Sequence, residues 1–282
     1  MDKRILLPTD FSKNALNAIR YALDMHEKEK CEFYLLNVFQ AKGYSTRSIM
    51  VPEPGDVDYE AAKKYSVDGL EKQLEILSPR EENPKHNFHT ISQFNSILYG
   101  VKHVIDTKDI DFVIMGTKGA GDTISTLFGT HTVKIMEKVT ECPVLAIPEN
   151  VRFTPPKEIV FPTDFKASFK RREIQVLLDI CKNHKSAIRV LHILEGSKLS
   201  KNQENNKVLL EHMLDGVDNS FHTMTDVKVQ KGIDTFIQSR ESEMVAFMNK
   251  KHMFFGSILS NPLVKELGYY SEIPILVLKD MD

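Results

Sequence analysis

Four of the 13 glycines in the chain lie between positions 116 and 129, directly before Thr130. Glycine permits positive φ and a close approach of the backbone, so successive N–H groups can converge on an anion. Thr130 opens a helix-like segment, and the free N–H groups at the start of a helix favour a phosphate. The pattern predicts a phosphate-binding loop, but a mobile surface loop with an ordinary helix cap fits the glycines equally well.

These glycines follow neither of two familiar phosphate-binding patterns. The sequence contains no G-x-x-x-x-G-K-[ST] loop, and no G-x-G-x-x-G follows its first apolar run. The spacing it does contain is G-x2-G-x9-G-T, made by Gly116, Gly119, Gly129 and Thr130.

Strand-like and helix-like patterns alternate along the chain. Short apolar runs suited to buried strands occupy 3–7, 32–39, 87–93, 111–115 and 143–147, with amphipathic segments between them. This alternation predicts an α/β fold with right-handed crossovers and a parallel sheet covered on both faces. Ligands of such sheets bind beyond the carboxyl ends of the strands, where the strand order reverses. The glycine-rich loop follows the fourth run, so it lies at such an end.

The same framework occurs twice. Three pairs of segments match in the same order: 5–11 with 159–165, 88–91 with 221–224, and 142–147 with 273–278. The offset between the copies falls from 154 to 133 after the first match, so the first copy carries about 21 extra residues. They fall between Ala41 and Glu60, where glycines and prolines predict a loop. We predict two domains, 1–150 and 151–282.

Composition excludes several classes of function. The formal net charge is −2 and the basic residues are spread along the chain, so no nucleic-acid partner is predicted. No apolar run approaches the roughly 18 residues that a membrane span needs. The three cysteines form no Cys-x-x-Cys pair. A disulfide framework or zinc site is therefore not expected, and a reducing cytoplasm is.

The ordered combination of Pro8-Thr9-Asp10, the glycine pattern and Cys142-Pro143-Val144 resembles the universal stress protein family. The resemblance covers residues 1–148, and the second copy resembles the family in framework only, which indicates a tandem member. It implies two Rossmann-like (adenine nucleotide alpha hydrolase-like) domains, each a five-stranded parallel sheet of order 3-2-1-4-5 flanked by helices. Family members either bind ATP through this loop or lack the loop. The implied ligand is thus ATP or another adenine nucleotide, alone or with Mg²⁺.

The resemblance also implies roles for the residues that follow the first two strands. Asp10, next to Pro8 and Thr9, contacts the adenine end of the nucleotide. Val38, at the end of the second strand, meets the base through its backbone. From the residues alone, Asp10 is also a candidate cap for the helix that begins near Ser12, and one carboxylate can fill both roles.

The rest of the implied site lies on the fourth strand and the loop after it: Met115, Gly116, Gly119, Gly129, Thr130 and Thr132. The resemblance places Gly116 at the ribose and has the later glycines and Thr130 cradle the phosphates. Thr132 and Lys118 are additional contacts.

In the second copy the spacing of the loop is kept and its chemistry is lost. The four pattern positions become Met248, Lys251, Asn261 and Pro262. Proline has no N–H to offer, and methionine places a long side chain where backbone must approach a sugar. We therefore predict one site per chain and expect Asp164, left without a ligand, to cap its helix.

Family members pair through their last strands, which implies an intramolecular pseudo-dimer of 144–147 against 275–278, with a homodimer of chains as a further option. Such pairing covers two sheet edges. Three functions stay open: an ATP-binding regulatory module whose nucleotide orders the 41–60 loop, a slow ATPase or self-phosphorylating enzyme, and a nucleotide-free scaffold. Phosphoryl transfer usually needs a metal-binding carboxylate, and Asp122 is the single acid inside the glycine-rich loop.

Overall fold

The computed structural model describes residues 2–40, 53–78, 83–118, 129–194, 198–249 and 272–280. Its strands are β1 (Lys3–Pro8), β2 (Cys31–Phe39), β3 (His86–Phe94), β4 (Phe112–Gly116), β5 (Val144–Ile147), β6 (Glu158–Pro162), β7 (Ala187–Leu194), β8 (Asn219–Thr225), β9 (Met244–Asn249) and β10 (Ile275–Lys279). Its α-helices are α1 (Lys13–Met25), α2 (Val57–Leu77), α3 (Ile97–Lys108), α4 (Thr130–Lys138), α5 (Gln175–His184), α6 (Lys201–Met213) and α7 (Val229–Arg240).

The ten strands form one sheet of order β3-β2-β1-β4-β5-β10-β9-β6-β7-β8. Each half of this sheet repeats the order 3-2-1-4-5, and the strand pairs within each half are parallel. The predicted fold class is confirmed: both halves are Rossmann-like, and each described connection between successive strands within a half contains a helix. The first half has its reversal of strand order between β1 and β4.

Alternating side chains of the strands supply two apolar layers. Along β1, Ile5 and Leu7 belong to the layer that packs against α1, α2, α5 and α6, whereas Leu6 belongs to the layer under α3, α4 and α7. Successive residues of a strand point to opposite faces, which is why one short apolar run serves both layers. Each layer runs through both halves of the sheet. Among the described helices, none is long and apolar enough to cross a membrane.

The two halves meet through their last strands. β10 pairs antiparallel with β5, with Val277 opposite Val144 and Leu276 opposite Leu145. All four side chains are buried. Backbone groups that would otherwise form an open edge are thus hydrogen-bonded inside a continuous sheet.

The segment between the halves, residues 148–157, is fastened to the first half by Asn17 of α1. The Asn17 amide donates to the carbonyls of Pro148 (3.0 Å) and Val151 (2.8 Å). The Arg152 guanidinium donates to the Asn17 side-chain oxygen. One buried polar side chain therefore fixes where the chain leaves β5.

The extra length of the first half was predicted to be a loop through Glu60, and this is wrong for its last residues because α2 already begins at Val57. Asp56 precedes the helix, and Asp58 and Glu60 lie in its first turn, where negative charge favours the helix dipole. α2 has 21 residues and its counterpart α6 has 13. Part of the additional sequence is therefore helix, and residues 41–52 lie outside the described ranges.

Because Leu276 faces Leu145 across the junction and both belong to one apolar layer, the halves are expected to unfold together. Replacing Leu276 with Ala should lower the free energy of unfolding by about 2–5 kcal/mol, the cost of a buried cavity. Leu209→Ala on α6, a residue 48% exposed, should change it by less than about 0.5 kcal/mol. Urea denaturation followed by circular dichroism measures both. Two separate transitions, only one of them moved by Leu276→Ala, would contradict a shared core.

Candidate functional site

Thr9, directly after β1, links the elements that lie under the predicted site through hydrogen bonds. Its N–H donates to the Leu36 carbonyl (2.8 Å), and its own carbonyl accepts from the Asn37 amide (2.7 Å). The Thr9 hydroxyl donates to Oε1 of Gln73 on α2 (2.8 Å). Thr9 is buried, so its polar groups serve to join β1, β2 and α2.

Asp10 is the exposed residue of this turn. The chain reverses at Phe11, whose φ is +65°, and the Ser12 N–H donates to Oδ1 of Asp10 at 3.1 Å. The cap of α1 is Ser12, whose hydroxyl accepts from the Ala15 N–H. Asp10 therefore braces the turn before the helix, with its carboxylate on the protein surface.

The start of α4 is tied to the end of β4. The Gly129 N–H donates to the Thr117 carbonyl at 2.7 Å. The buried Thr132 hydroxyl donates to the Gly116 carbonyl at 2.9 Å. These two bonds bring the N-terminus of α4 to the carboxyl end of β4, beside the reversal of strand order, so Gly129 and Thr132 shape the frame of the site.

The N-terminus of α4 presents polar groups at this edge. Gly129 precedes the helix with φ −64° and ψ 146°, and within the described ranges no side chain caps it. The first N–H groups of a helix have no partner inside the helix and lie at its positive end. Thr130 is exposed there, which suits a phosphate-contacting hydroxyl. Gly119 lies outside the described residues, as does Asp122.

The remaining predicted residues line the ends of neighbouring strands. Pro8 and Met115 are buried on β1 and β4, which are adjacent in the sheet. The Val38 side chain lies against α3, where a Cβ added to Gly100 would be 2.7 Å from its Cγ2. The side chain of Val38 is thus engaged in packing, in keeping with an implied contact through its backbone.

Asn14, on the first turn of α1, belongs to this edge although the sequence analysis did not identify it. Its side chain occupies the space over Gly116, where an added Cβ would lie 2.8 Å from Cγ and 2.9 Å from Nδ2. Its amide donates to the Lys118 carbonyl (3.1 Å). A signal existed: Asn14 stands four residues before Ala18 and eight before Ala22, on the buried stripe of the helix.

The second half keeps the turn but buries its carboxylate. The Thr163 carbonyl accepts from Nδ1 of His192 (2.8 Å), as the Thr9 carbonyl accepts from Asn37. Asp164 is only 4% exposed, and its Oδ1 accepts from the Lys166 N–H (2.9 Å). The Asp at this position is therefore a ligand candidate in the first half alone.

The expectation that Asp164 caps a helix is wrong, because α5 begins only at Gln175 and is preceded by Ile174. Side chains of α6 hold the turn that follows β6. Gln203 donates to the Asp164 carbonyl and Asn206 to the Phe165 carbonyl, each at 2.8 Å.

At the carboxyl end of β9, the second half makes hydrogen bonds to the first. Met248, in the position of Gly116, is buried. The next residue, Asn249, donates to the carbonyls of Met136 (3.2 Å) and Glu137 (3.1 Å) near the end of α4. Last-turn carbonyls of a helix need such donors. Lys251, Asn261 and Pro262 lie outside the described ranges.

Metal and thiol chemistry find little support in the described part of the chain. It contains no group of three His, Cys, Asp or Glu residues placed to hold a metal ion. Burial raises the pKa of Cys31, Cys142 and Cys181 to about 12 in each case. The thiolate, which is the reactive form, is therefore scarce at neutral pH.

A family model and a curated relative identify the family of this chain. The model of the universal stress protein family matches residues 1–148. A universal stress protein of Synechocystis sp. is 25% identical over 148 residues, which cover 52% of this chain and 87% of that protein.

Two solved structures share the fold of the whole chain. A universal stress protein from Archaeoglobus fulgidus has a TM-score of 0.68 at 16% identity, with 98% of both chains covered. A functionally unknown protein from Pseudomonas aeruginosa has a TM-score of 0.58 at 13% identity, covering 99% of this chain and 92% of that one.

The contact between Gly116 and Asn14 predicts a strong coupling between the two positions. Gly116→Ala should destabilise the protein by about 1–3 kcal/mol, because the new methyl group overlaps the Asn14 amide. The same change should cost little in an Asn14→Ala background. Gly100→Ala, which meets Val38 instead, should cost the same with or without Asn14. Urea unfolding gives the free energy of unfolding of each variant in this double-mutant cycle. Additive effects of the Gly116 and Asn14 changes would contradict the contact.

Proposed function

The chain belongs to the universal stress protein family, and from that membership we propose that its first half binds one adenine nucleotide, ATP or a close relative, at the carboxyl ends of β1 and β4. The observation that carries the proposal is the meeting of three features at the reversal of strand order. These are the exposed Asp10, the end of β4 at Gly116, and the N-terminus of α4. Parallel α/β sheets bind ligands at this point.

The two ends of the edge suit the two ends of a nucleotide. Asp10 follows β1 and offers carboxylate oxygens, which accept hydrogen bonds from amino or hydroxyl groups of a nucleoside. The start of α4 offers N–H groups and the exposed Thr130 hydroxyl, which suit phosphate oxygens. The glycines of the connecting loop supply further backbone N–H groups in the sequence pattern that the resemblance identifies. Bound ATP would contribute the anionic oxygens that complete this helix end.

We propose that the second half is a structural partner and not a second site. Its Asp164 is buried, and the buried side chain of Met248 fills the place of Gly116. Asn249, which follows, is engaged with α4 of the first half. Together with the pairing of β5 and β10, these contacts support a pseudo-dimer contained in one chain, in which the second half stabilises the nucleotide-binding half.

A regulatory binding role in a reducing cytoplasm is favoured over catalysis. Phosphoryl transfer requires an oriented nucleophile and usually carboxylates that hold a metal ion. In the described part of the site, the exposed acid is Asp10, which follows β1, and no group of three metal-ligating side chains accompanies it. The buried cysteines fit a reducing compartment. The nucleotide is thus proposed to act as a bound effector.

The proposal predicts one ATP per chain by isothermal titration calorimetry. Gly129→Val should abolish measurable ATP binding, because a branched side chain at the start of α4 blocks the approach of phosphate to backbone. The φ of −64° at Gly129 is open to any residue, but Gly129 is buried, so the thermal unfolding midpoint is measured beside the affinity to confirm that the variant is folded. Unchanged affinity in this variant, or two ATP per chain in the native protein, would refute the assignment.

The paired positions Asp10 and Asp164 provide an internal control. Asp10→Asn should weaken ATP binding by roughly ten- to a hundredfold, the loss expected for hydrogen bonds to a charged acceptor. Asp164→Asn should leave the affinity unchanged, because this carboxylate braces a turn in the half that lacks the site. Equilibrium dialysis with labelled ATP compares the two. Equal weakening by both variants would place a nucleotide in the second half as well.

A further inference from the structure

Asn14 carries a buried hydrogen-bond acceptor that has no partner among the described residues. The residue is 4% exposed, and its amide nitrogen is committed to the Lys118 carbonyl at 3.1 Å. A carbonyl can only accept, so this bond fixes the orientation of the amide and identifies the remaining atom as Oδ1. Oδ1 is therefore an oriented acceptor at the edge of the site.

An acceptor of this kind is costly unless something donates to it. Burial of an unsatisfied polar atom opposes folding, and native proteins almost always satisfy such atoms with protein groups, water or a ligand. Gly116 adds a second observation, since only the absence of a Cβ leaves room for Asn14 at this place. The Asn14 amide therefore packs directly against the backbone at the end of β4.

The location of Asn14 identifies the part of a nucleotide that would reach it. Asn14 lies over Gly116, four residues after Asp10, and Thr132 of α4 is bonded to the Gly116 carbonyl. A nucleotide with its base near Asp10 and its phosphates at α4 crosses Gly116 with its sugar. Ribose hydroxyls are donors, whereas phosphate oxygens at neutral pH act mainly as acceptors.

We propose that Oδ1 of Asn14 accepts a hydrogen bond from a ribose hydroxyl of the bound nucleotide and thereby selects ribonucleotides over deoxyribonucleotides. This specificity role rests on the nucleotide-binding function proposed above. The second half, for which no site is proposed, has other residues at the positions of both Asn14 and Gly116. Ser168 stands at the position of Asn14 and Met248 at that of Gly116.

The test compares ATP, 2′-deoxyATP and 3′-deoxyATP by calorimetry on the full chain. The native protein should bind at least one deoxy analogue about three- to tenfold more weakly than ATP, the effect of one neutral hydrogen bond. Asn14→Ala should bind all three within about twofold of one another. Asn14→Leu, which is of similar size but has no acceptor, should lose the discrimination as Asn14→Ala does. Ser168→Ala, the matched change in the second half, should behave like the native protein.

Each other outcome overturns a defined claim. A native protein that binds ATP and both analogues equally, or discrimination that persists in Asn14→Ala, refutes the role of Asn14 and leaves nucleotide binding intact. Weakening of all three ligands by the same factor in Asn14→Ala, with the native preference kept, shows that Asn14 acts only through Lys118. If Asn14→Ala fails to fold, discrimination that persists in Asn14→Leu refutes the role. A native protein that binds no ATP refutes the proposed function itself.

Discussion

The antiparallel pairing of β5 with β10 is the interaction on which the rest of the molecule depends. A five-stranded parallel sheet of this order ends in a strand whose outer backbone groups need partners. Here each half supplies the partner of the other, through three register pairs from Val144 to Ala146. The two apolar layers then run through the whole sheet, and Asn249 of the second half reaches the last carbonyls of α4. The helix whose first turn faces the proposed site is thus held by the opposite half.

The duplication shows which parts of the framework are physical necessities. In both halves the carbonyl after the first strand is buried and must be satisfied. The donor is the residue of the second strand that comes directly after its last register pair with the first strand. It is Asn37 in one half and His192 in the other. The chemistry around the fourth strand was under no such constraint. Gly116 and Met248 occupy the same place in the two halves, one leaving room for a polar side chain and the other filling the space.

Nearly all of the proposed site is made of groups that the fold already uses. The Thr9 hydroxyl, the Gly129 N–H and the Thr132 hydroxyl donate to neighbouring groups of the protein. They set positions, whereas the proposed contacts with a ligand come from Asp10, the first turn of α4 and Oδ1 of Asn14. This division explains how a half can lose its ligand chemistry and keep its fold.

Local patterns in the sequence predicted the five strand positions of the first half, the repeat and a phosphate loop through Gly116 and Thr130, because hydrophobic period and turn chemistry act over a few neighbours. The role of Asp10 and the strand order came from the resemblance to a family. Contacts between distant residues were decided by tertiary structure: Asn14 meets Gly116 across 102 positions, and Asn249 meets Met136 across 113. The turn after β6 is a further case, since the α6 side chains that donate to the Asp164 and Phe165 carbonyls lie about 40 residues away. A sequence states which groups need partners, and only the folded chain determines which partners are within reach.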